Sequence, residues 1–193
     1  STTNQWIPLD SDDVKDAVEF GTNGFYQKYN STELGASFED SALGHVATAQ
    51  GNAHTDTSVK KFGTASMQLD GSGDFLKVAD SQQWELNRYA YYTVEMWVYT
   101  PLSKHNRVWS TYETGDSKGY LASIGTNGSV DWLAGDGSWQ MNINSGASRV
   151  TADTWTHVAW VKDGGTARIY VGGTQYVTGT WANGDGYVNT LNI

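Results

Sequence analysis

Residues 61–80 read KFGTASMQLDGSGDFLKVAD. Two β-prone pieces, Ala65 to Leu69 and Phe75 to Val78, flank the turn Asp70-Gly71-Ser72-Gly73, where glycine can take the positive φ that a tight turn requires. The stretch therefore predicts a hairpin. In its first arm Met67 and Leu69 point one way and Gln68 the other, while Phe75, Leu76 and Val78 supply apolar surface that needs a second layer to be buried against. A further β-prone run, YYTVEMWVYT (Tyr91 to Thr100), follows closely, and no helical periodicity competes. The fold class read from this stretch is all-β, an antiparallel β-sandwich.

Downstream, SQQWEL (Ser81 to Leu86) suits a single helical turn that packs Trp84 and Leu86 on a sheet edge. Tyr91 to Thr100 alternates Thr93, Glu95, Trp97 and Tyr99 with Tyr92, Val94, Met96 and Val98. Apolar residues in both sets predict an inner strand covered on both faces, and Pro101 ends it. Strands are predicted over Arg107 to Tyr112, Tyr120 to Ile124, Val130 to Leu133 and Trp139 to Ile143, with turns such as Gly125-Thr126-Asn127-Gly128 and Gly135-Asp136-Gly137 between them. In TWTHVAWVKDGGTARIYVGGTQYV (Thr154 to Val177) the Asp163-Gly164-Gly165 turn joins two strands and Gly172-Gly173 leads into a third. Trp181 to Gly186 reads as a loop and Val188 to Ile193 as the start of a strand. Upstream, His45 to Thr48 is a predicted strand and Gly51 to Thr57 a surface loop. Residues 17–29 are hairpin-like around Gly21-Thr22-Asn23-Gly24. Ser1 to Asp16, with one possible helical turn at Ser11 to Lys15, reads as an extended arm. The expected organisation is an arm or linker over 1–29 and one domain over 30–193.

Composition bounds the function. The chain has 193 residues, 22 Gly, 2 Pro, 9 Trp and 11 Tyr, a pattern of short strands and tight turns. With no cysteine, neither a disulfide framework nor a thiolate metal site is available. The 21 acidic residues against 12 basic ones give a net charge of −9, and the cations are scattered. A phosphate backbone is repelled on average, so nucleic acid is not an expected partner. No apolar run is long enough for a spanning helix, so membrane insertion is not expected, and Ser1 to Asp16 lacks the pattern of a signal peptide.

Three blocks, KFGTASMQLDGSGDFLKV, YTVEMWVY and WTHVAWVKDGGTARIYVGG, resemble in order and distance the laminin-G-like, concanavalin A-like family of jelly-roll domains. The resemblance covers about Phe38 to Ile193. It implies a jelly roll of two antiparallel sheets, with function on loops and on a concave face, and says little about chemistry. Such domains close with a further strand after the equivalent of Leu191-Asn192-Ile193. The expectation here is a domain lacking that strand, from a longer chain or completed by a partner. The segment AVEFGTNGFYQKY resembles stretches that precede such domains in bacteriophage virion proteins, including tail fibres and appendages. That likeness implies a virion-surface or extracellular setting, contacts with other virion proteins through the arm, and a homo-oligomer.

Candidate chemistry is sparse. A polysaccharide-cleaving enzyme needs paired carboxylates on one strand face, and Val94-Glu95-Met96-Trp97-Val98 carries Glu95 alone. No serine nucleophile signature occurs, and His45, His54, His105 and His157 are far apart. His157 is expected to pack in its strand, and Trp97, Trp155 and Trp160 in the core. Calcium is the ion that the hard oxygen donors would suit, with Asp70 and Asp74 as the candidate ligands; turn aspartates also serve simply to close turns, as do Asp131, Asp136 and Asp185 on the later turns. Trp132, Trp139 and Trp181 lie beside Gly/Asp-rich turns, where a ring partly in water stacks on a sugar while Asp136, Gln140 and Asn183 take its hydroxyls. The alternative is that these rings cover sheet ends or pack on a neighbouring subunit. The function expected is a non-catalytic virion module, in glycan adhesion or assembly. An extracellular bacterial carbohydrate-binding module and a polysaccharide-degrading enzyme of the same fold are the alternatives.

Overall fold

The computed structural model describes residues 17, 26–27, 37–39, 44–112, 117–181 and 191–193. Its strands are β1 (Ser37–Glu39), β2 (Val46–Gln50), β3 (His54–Asp56), β4 (Ser66–Gln68), β5 (Phe75–Val78), β6 (Tyr91–Val98) and β7 (Asn106–Ser110). They continue with β8 (Lys118–Ile124), β9 (Val130–Asp136), β10 (Trp139–Asn144), β11 (Thr156–Asp163), β12 (Thr166–Val171), β13 (Thr174–Thr180) and β14 (Leu191–Asn192). An eight-stranded sheet runs β1-β2-β5-β14-β7-β8-β9-β10, a four-stranded sheet runs β13-β12-β11-β6, and β3 pairs with β4 alone. All pairings among the described residues are antiparallel. The helical content among the described residues of 44–193 is two 3₁₀ turns, Gln82–Trp84 and Leu86–Arg88. None is long or apolar enough to cross a membrane.

The two larger sheets face one another. Trp109, Tyr120, Ala122, Val130, Trp132, Met141 and Ile143 from the eight-stranded sheet share one core with Val158, Trp160, Ala167, Ile169 and Val171 from the four-stranded one. Their alternation along each strand makes the sandwich, because successive side chains leave a strand on opposite faces. One polar link crosses the layers, the Trp160 indole N–H donating to the Asp131 carbonyl at 3.2 Å. A smaller cluster of Ala47, Ala53, Leu76, Val78 and Trp84 closes the other end of the large sheet, with the Trp84 indole N–H donating to the Ala79 carbonyl at 3.1 Å.

Several expectations change. Ser66–Gln68 and Phe75–Val78 do not form a hairpin: β4 pairs with β3, and β5 with β2 and β14. The Asp70–Asp74 turn therefore hands the chain from one sheet to another. Asp74 explains how. Its carboxylate accepts the backbone N–H of Asp70 at 2.8 Å and of Asn52 at 2.9 Å, fastening the turn to the β2–β3 corner rather than to its own strand. Gly51 in that corner has φ +67°, and a Cβ there would overlap the Asp74 carboxylate. The predicted loop at Gly51 to Thr57 contains β3.

Among the described residues Tyr91–Val98 is an edge strand, not an inner one. Tyr92, Val94, Met96 and Val98 pack on the core, so Thr93, Glu95 and Trp97 face out, and a loop lies on the apolar one, Trp97. Phe62 packs edge-on to Trp97 with centroids 5.4 Å apart, and the Lys61 ammonium sits 4.6 Å from the Trp97 ring. Trp97 and Trp155 are half-buried on this outer side, and of the three tryptophans expected in the core Trp160 is fully buried. The interior position in the large sheet between β5 and β7 is taken by β14, and Ile193 exchanges two backbone hydrogen bonds with Leu76, at 2.7 and 2.9 Å. The expected arm at Ser1 to Asp16 and its helical turn lie outside the described residues.

Candidate functional site

The outward face of the eight-stranded sheet gathers the polar and aromatic groups. Since Trp132, Ala134, Met141 and Ile143 point into the core, Asp131, Leu133, Asn142 and Asn144 point out. The register lays them in rows. Asn142 pairs with Leu133 and Leu133 with Leu121; Asn144 pairs with Asp131, Asp131 with Ser123 and Ser123 with Arg107. At the end of β10, Trp139 pairs with Gly135, and the register shifts before Met141, so the ring stays on this outer side. Tyr112 leans against Trp139 with centroids 5.3 Å apart and planes 33° apart, and the Arg107 guanidinium lies 5.3 Å from the Tyr112 ring.

Hydrogen bonds fix the polar groups. Asp131 accepts the Asn144 amide and, at 3.4 Å, the Ser129 hydroxyl, with the His105 imidazole 3.7 Å away. Asp136 accepts the Gln140 amide. The turn above Asp131 is rigid: Gly128 has φ +74°, and a Cβ there would overlap the Val150 carbonyl oxygen. Arg149 and Val150 both donate backbone N–H groups to the Gly128 carbonyl, at 3.1 and 2.9 Å.

Of the residues singled out in the sequence, Asp136, Trp139 and Gln140 come together on the β9–β10 hairpin, and Trp139 is 36% exposed. Trp132 and Trp181 do not join them, being 0% and 4% exposed. Both rings belong to the core, where they lie 5.2 Å apart and each meets Tyr92 edge-on. Nearness to a turn misled here because strand alternation, not turn proximity, decides which side a ring takes. Asn183 and Asp185 lie outside the described residues. Asp70 and Asp74 share one turn, and their oxygens accept its backbone N–H groups, including that of Ser72 at 2.7 Å. Among the described residues no third His, Asp or Glu joins them. These bonds hold the Asp74 carboxyl below the ordinary carboxylate range.

The family model of the Concanavalin A-like lectin/glucanases superfamily matches residues 70–191. The chain belongs to this superfamily. Among solved structures, the binding domain of Paraclostridial Mosquitocidal Protein 1 is 11% identical with a TM-score of 0.68, covering 87% of this chain and 43% of that one. A second, described as HCR/D-Sa-GBL1/C, is 12% identical with a TM-score of 0.61, covering 83% and 43%. At such identity the likeness is one of fold, and the chain spans less than half the length of either. No curated protein sequence matches it.

Within this concanavalin A-like sandwich, the opposite outer face carries Glu95 and His157, from adjacent β6 and β11. His157 Nε2 lies 3.3 Å from Glu95, and this hydrogen bond, with the imidazole's charge, holds the Glu95 carboxyl below its usual range against the effect of partial burial. The remaining histidines are dispersed. His54 contacts the Asn52 carbonyl at 2.6 Å, and His45 meets Trp84 with ring centroids 5.3 Å apart. The sequence reading missed Tyr112, Arg107, Ser123, Asn142 and Asn144 as companions of Trp139. The alternation M-N-I-N over Met141–Asn144 was the signal for the last two. The cross-strand register that supplies the others is not written in any local stretch.

Proposed function

We propose that the chain is a non-catalytic glycan-binding β-sandwich module whose ligand lies along β10 on the outward face of the eight-stranded sheet. The observation that carries this is Trp139: a half-exposed ring, steadied by Tyr112, beside a row of outward amides at Asn142 and Asn144. A flat ring offers the apolar face of a sugar a stacking surface, and amides both donate to and accept from hydroxyls. Catalysis fits this geometry poorly. Asp131 on this face and Asp136, five residues on along the same strand and of opposite parity, are separated by about 16 Å, whereas glycosidase carboxylates stand about 5 to 9.5 Å apart.

The setting we propose is the surface of a bacteriophage particle, on the likeness of residues 17–29 to virion proteins, with the 1–29 arm contacting other virion chains and the module serving adhesion to host glycans. An extracellular bacterial adhesion module is the alternative that the same face serves. A glycan microarray probed with the whole chain and with Trp139→Ala tests the binding. The proposal expects discrete glycan hits that the variant loses, and an array blank for the wild type overturns it. Co-sedimentation of the chain with phage particles tests the setting.

A further inference from the structure

Two cations on the proposed glycan face have no counter-charge. Arg107 is exposed and makes neither ion pair nor hydrogen bond among the described residues; its guanidinium is steadied by the Tyr112 ring alone, at 5.3 Å. Lys77 on β5 is likewise exposed and unpaired. It points outward because Leu76 and Val78 are in the core, and through β14 it shares a row with Ser110 of β7. The chain's net charge is −9, yet among the described residues no carboxylate neutralises either of these two cations. Other described cations are held by neighbours: Arg88 and Arg168 pair with Glu85 and Asp163, and Lys60, Lys104 and Lys162 donate to backbone carbonyls at 2.7, 3.3 and 2.6 Å.

A third group points the same way. Ser123 is the direct cross-strand partner of Arg107 and lies on the same face, between Ala122 and Ile124, which are buried in the core. It is 0% exposed, and its hydroxyl has no hydrogen-bond partner among the described residues. A buried hydroxyl without a partner is costly, and Ser123 places one such polar group at the floor of this face, across from Arg107. The carboxylate on this face next to Arg107's row does not compete for it. Asp131, on the other side of Ser123, is engaged by Asn144, Ser129 and His105.

We propose, resting on the glycan reading above, that the sugar bound here carries a carboxylate, as uronic and sialic acids do, held by the Arg107 guanidinium with the Ser123 hydroxyl beneath it. Lys77 is the second cationic contact for a chain with more than one such acid. A planar guanidinium with its fork of donors free matches a carboxylate bidentately, and the stacked Tyr112 presets its plane. Trp139 then takes the apolar face of the neighbouring sugar, which orients the chain from Trp139 towards β7. Asp131 confines the acidic group to the Arg107 side by like-charge repulsion.

The test measures equilibrium binding of the whole chain to matched pairs: galactose oligomers against galacturonate oligomers, and lactose against sialylated lactose. The expected result is that at least one acidic member binds about tenfold or more tightly than its neutral partner. Arg107→Gln removes that preference, lowering acidic binding far more than neutral binding. Ser123→Ala weakens the acidic sugar alone, and Lys77→Gln weakens acidic oligomers more than an acidic sugar at a single position. If neutral sugars bind as well as acidic ones, or if Arg107→Gln leaves the preference intact, the inference is overturned while the glycan reading stands. If no sugar of either kind binds, the glycan reading itself fails.

Discussion

Trp160 and Trp132 are both 0% exposed in the same core, yet substitution by phenylalanine should affect them very differently. The Trp160 indole N–H donates to the Asp131 carbonyl at 3.2 Å across the sandwich. The Trp132 indole N–H has no partner among the described residues. Each substitution removes the same atoms, and the lost packing costs about 1–2 kcal/mol in either position. At Trp160 a net hydrogen-bond contribution of about 1 kcal/mol is lost as well, for a total of about 2–3 kcal/mol. At Trp132 the change also removes a buried, unpaired donor whose burial costs about 1–3 kcal/mol, so the net effect centres near zero and destabilises by at most about 1 kcal/mol. Urea unfolding followed by far-ultraviolet circular dichroism, which does not depend on the replaced chromophores, reads the difference. With a slope of about 2 kcal/mol/M, the two midpoints should differ by roughly 1 M at unchanged slope. Equal midpoints, or a larger loss at Trp132, would refute the assignment of the inter-sheet link.

Trp139→Ala should lower glycan affinity by about tenfold or more and leave the unfolding midpoint nearly unchanged, since the ring is partly in water; titration calorimetry and urea melts separate the two. Gly128→Ala forces a side chain onto a backbone at φ +74° and against the Val150 carbonyl, and thermal melts should register a loss of about 2–4 kcal/mol. The Glu95 carboxyl, depressed by His157, contributes stability that is present above the ordinary carboxyl range and is lost as pH falls through its folded value. Because Glu95 is 55% exposed, that contribution is discounted to about 0.5 kcal/mol or less. Glu95→Gln should therefore destabilise slightly at pH 6 and not at pH 3, and a difference of the opposite sign would reject the pairing.

Most of the architecture was legible because strand alternation and turn residues are local. Val130, Trp132 and Ala134 against Asp131 and Leu133, or Ile169 and Val171 against Arg168 and Tyr170, state their own sidedness. What failed was pairing. The turn at Asp70–Asp74 looks like a hairpin loop, but Asp74 spends its carboxylate on Asn52 as well as on Asp70, and the strands part to different sheets. Tyr91–Val98 looked interior because Trp97 is apolar on its outward side; Phe62 and Lys61, brought in by a loop some thirty residues upstream, supply the cover. For the same reason the site was half read. Asp136, Trp139 and Gln140 are neighbours in the chain, whereas Tyr112, Arg107 and Ser123 reach Trp139 through the β7–β8–β9–β10 register. Trp132 went to the core because its strand turns it inward, and Trp181, just past the end of β13, packs beside it.

The claim on which the rest depends is that recognition occurs on the outward face of the eight-stranded sheet. Nuclear magnetic resonance of the labelled chain, titrated with the strongest glycan from the array, tests it directly. The account predicts shifts at the Trp139 indole and at the amides of residues 131–133 and 139–144, with residues 93–97 and 157–161 unmoved. Shifts confined to the Glu95, Trp97 and His157 side of the sandwich would contradict it.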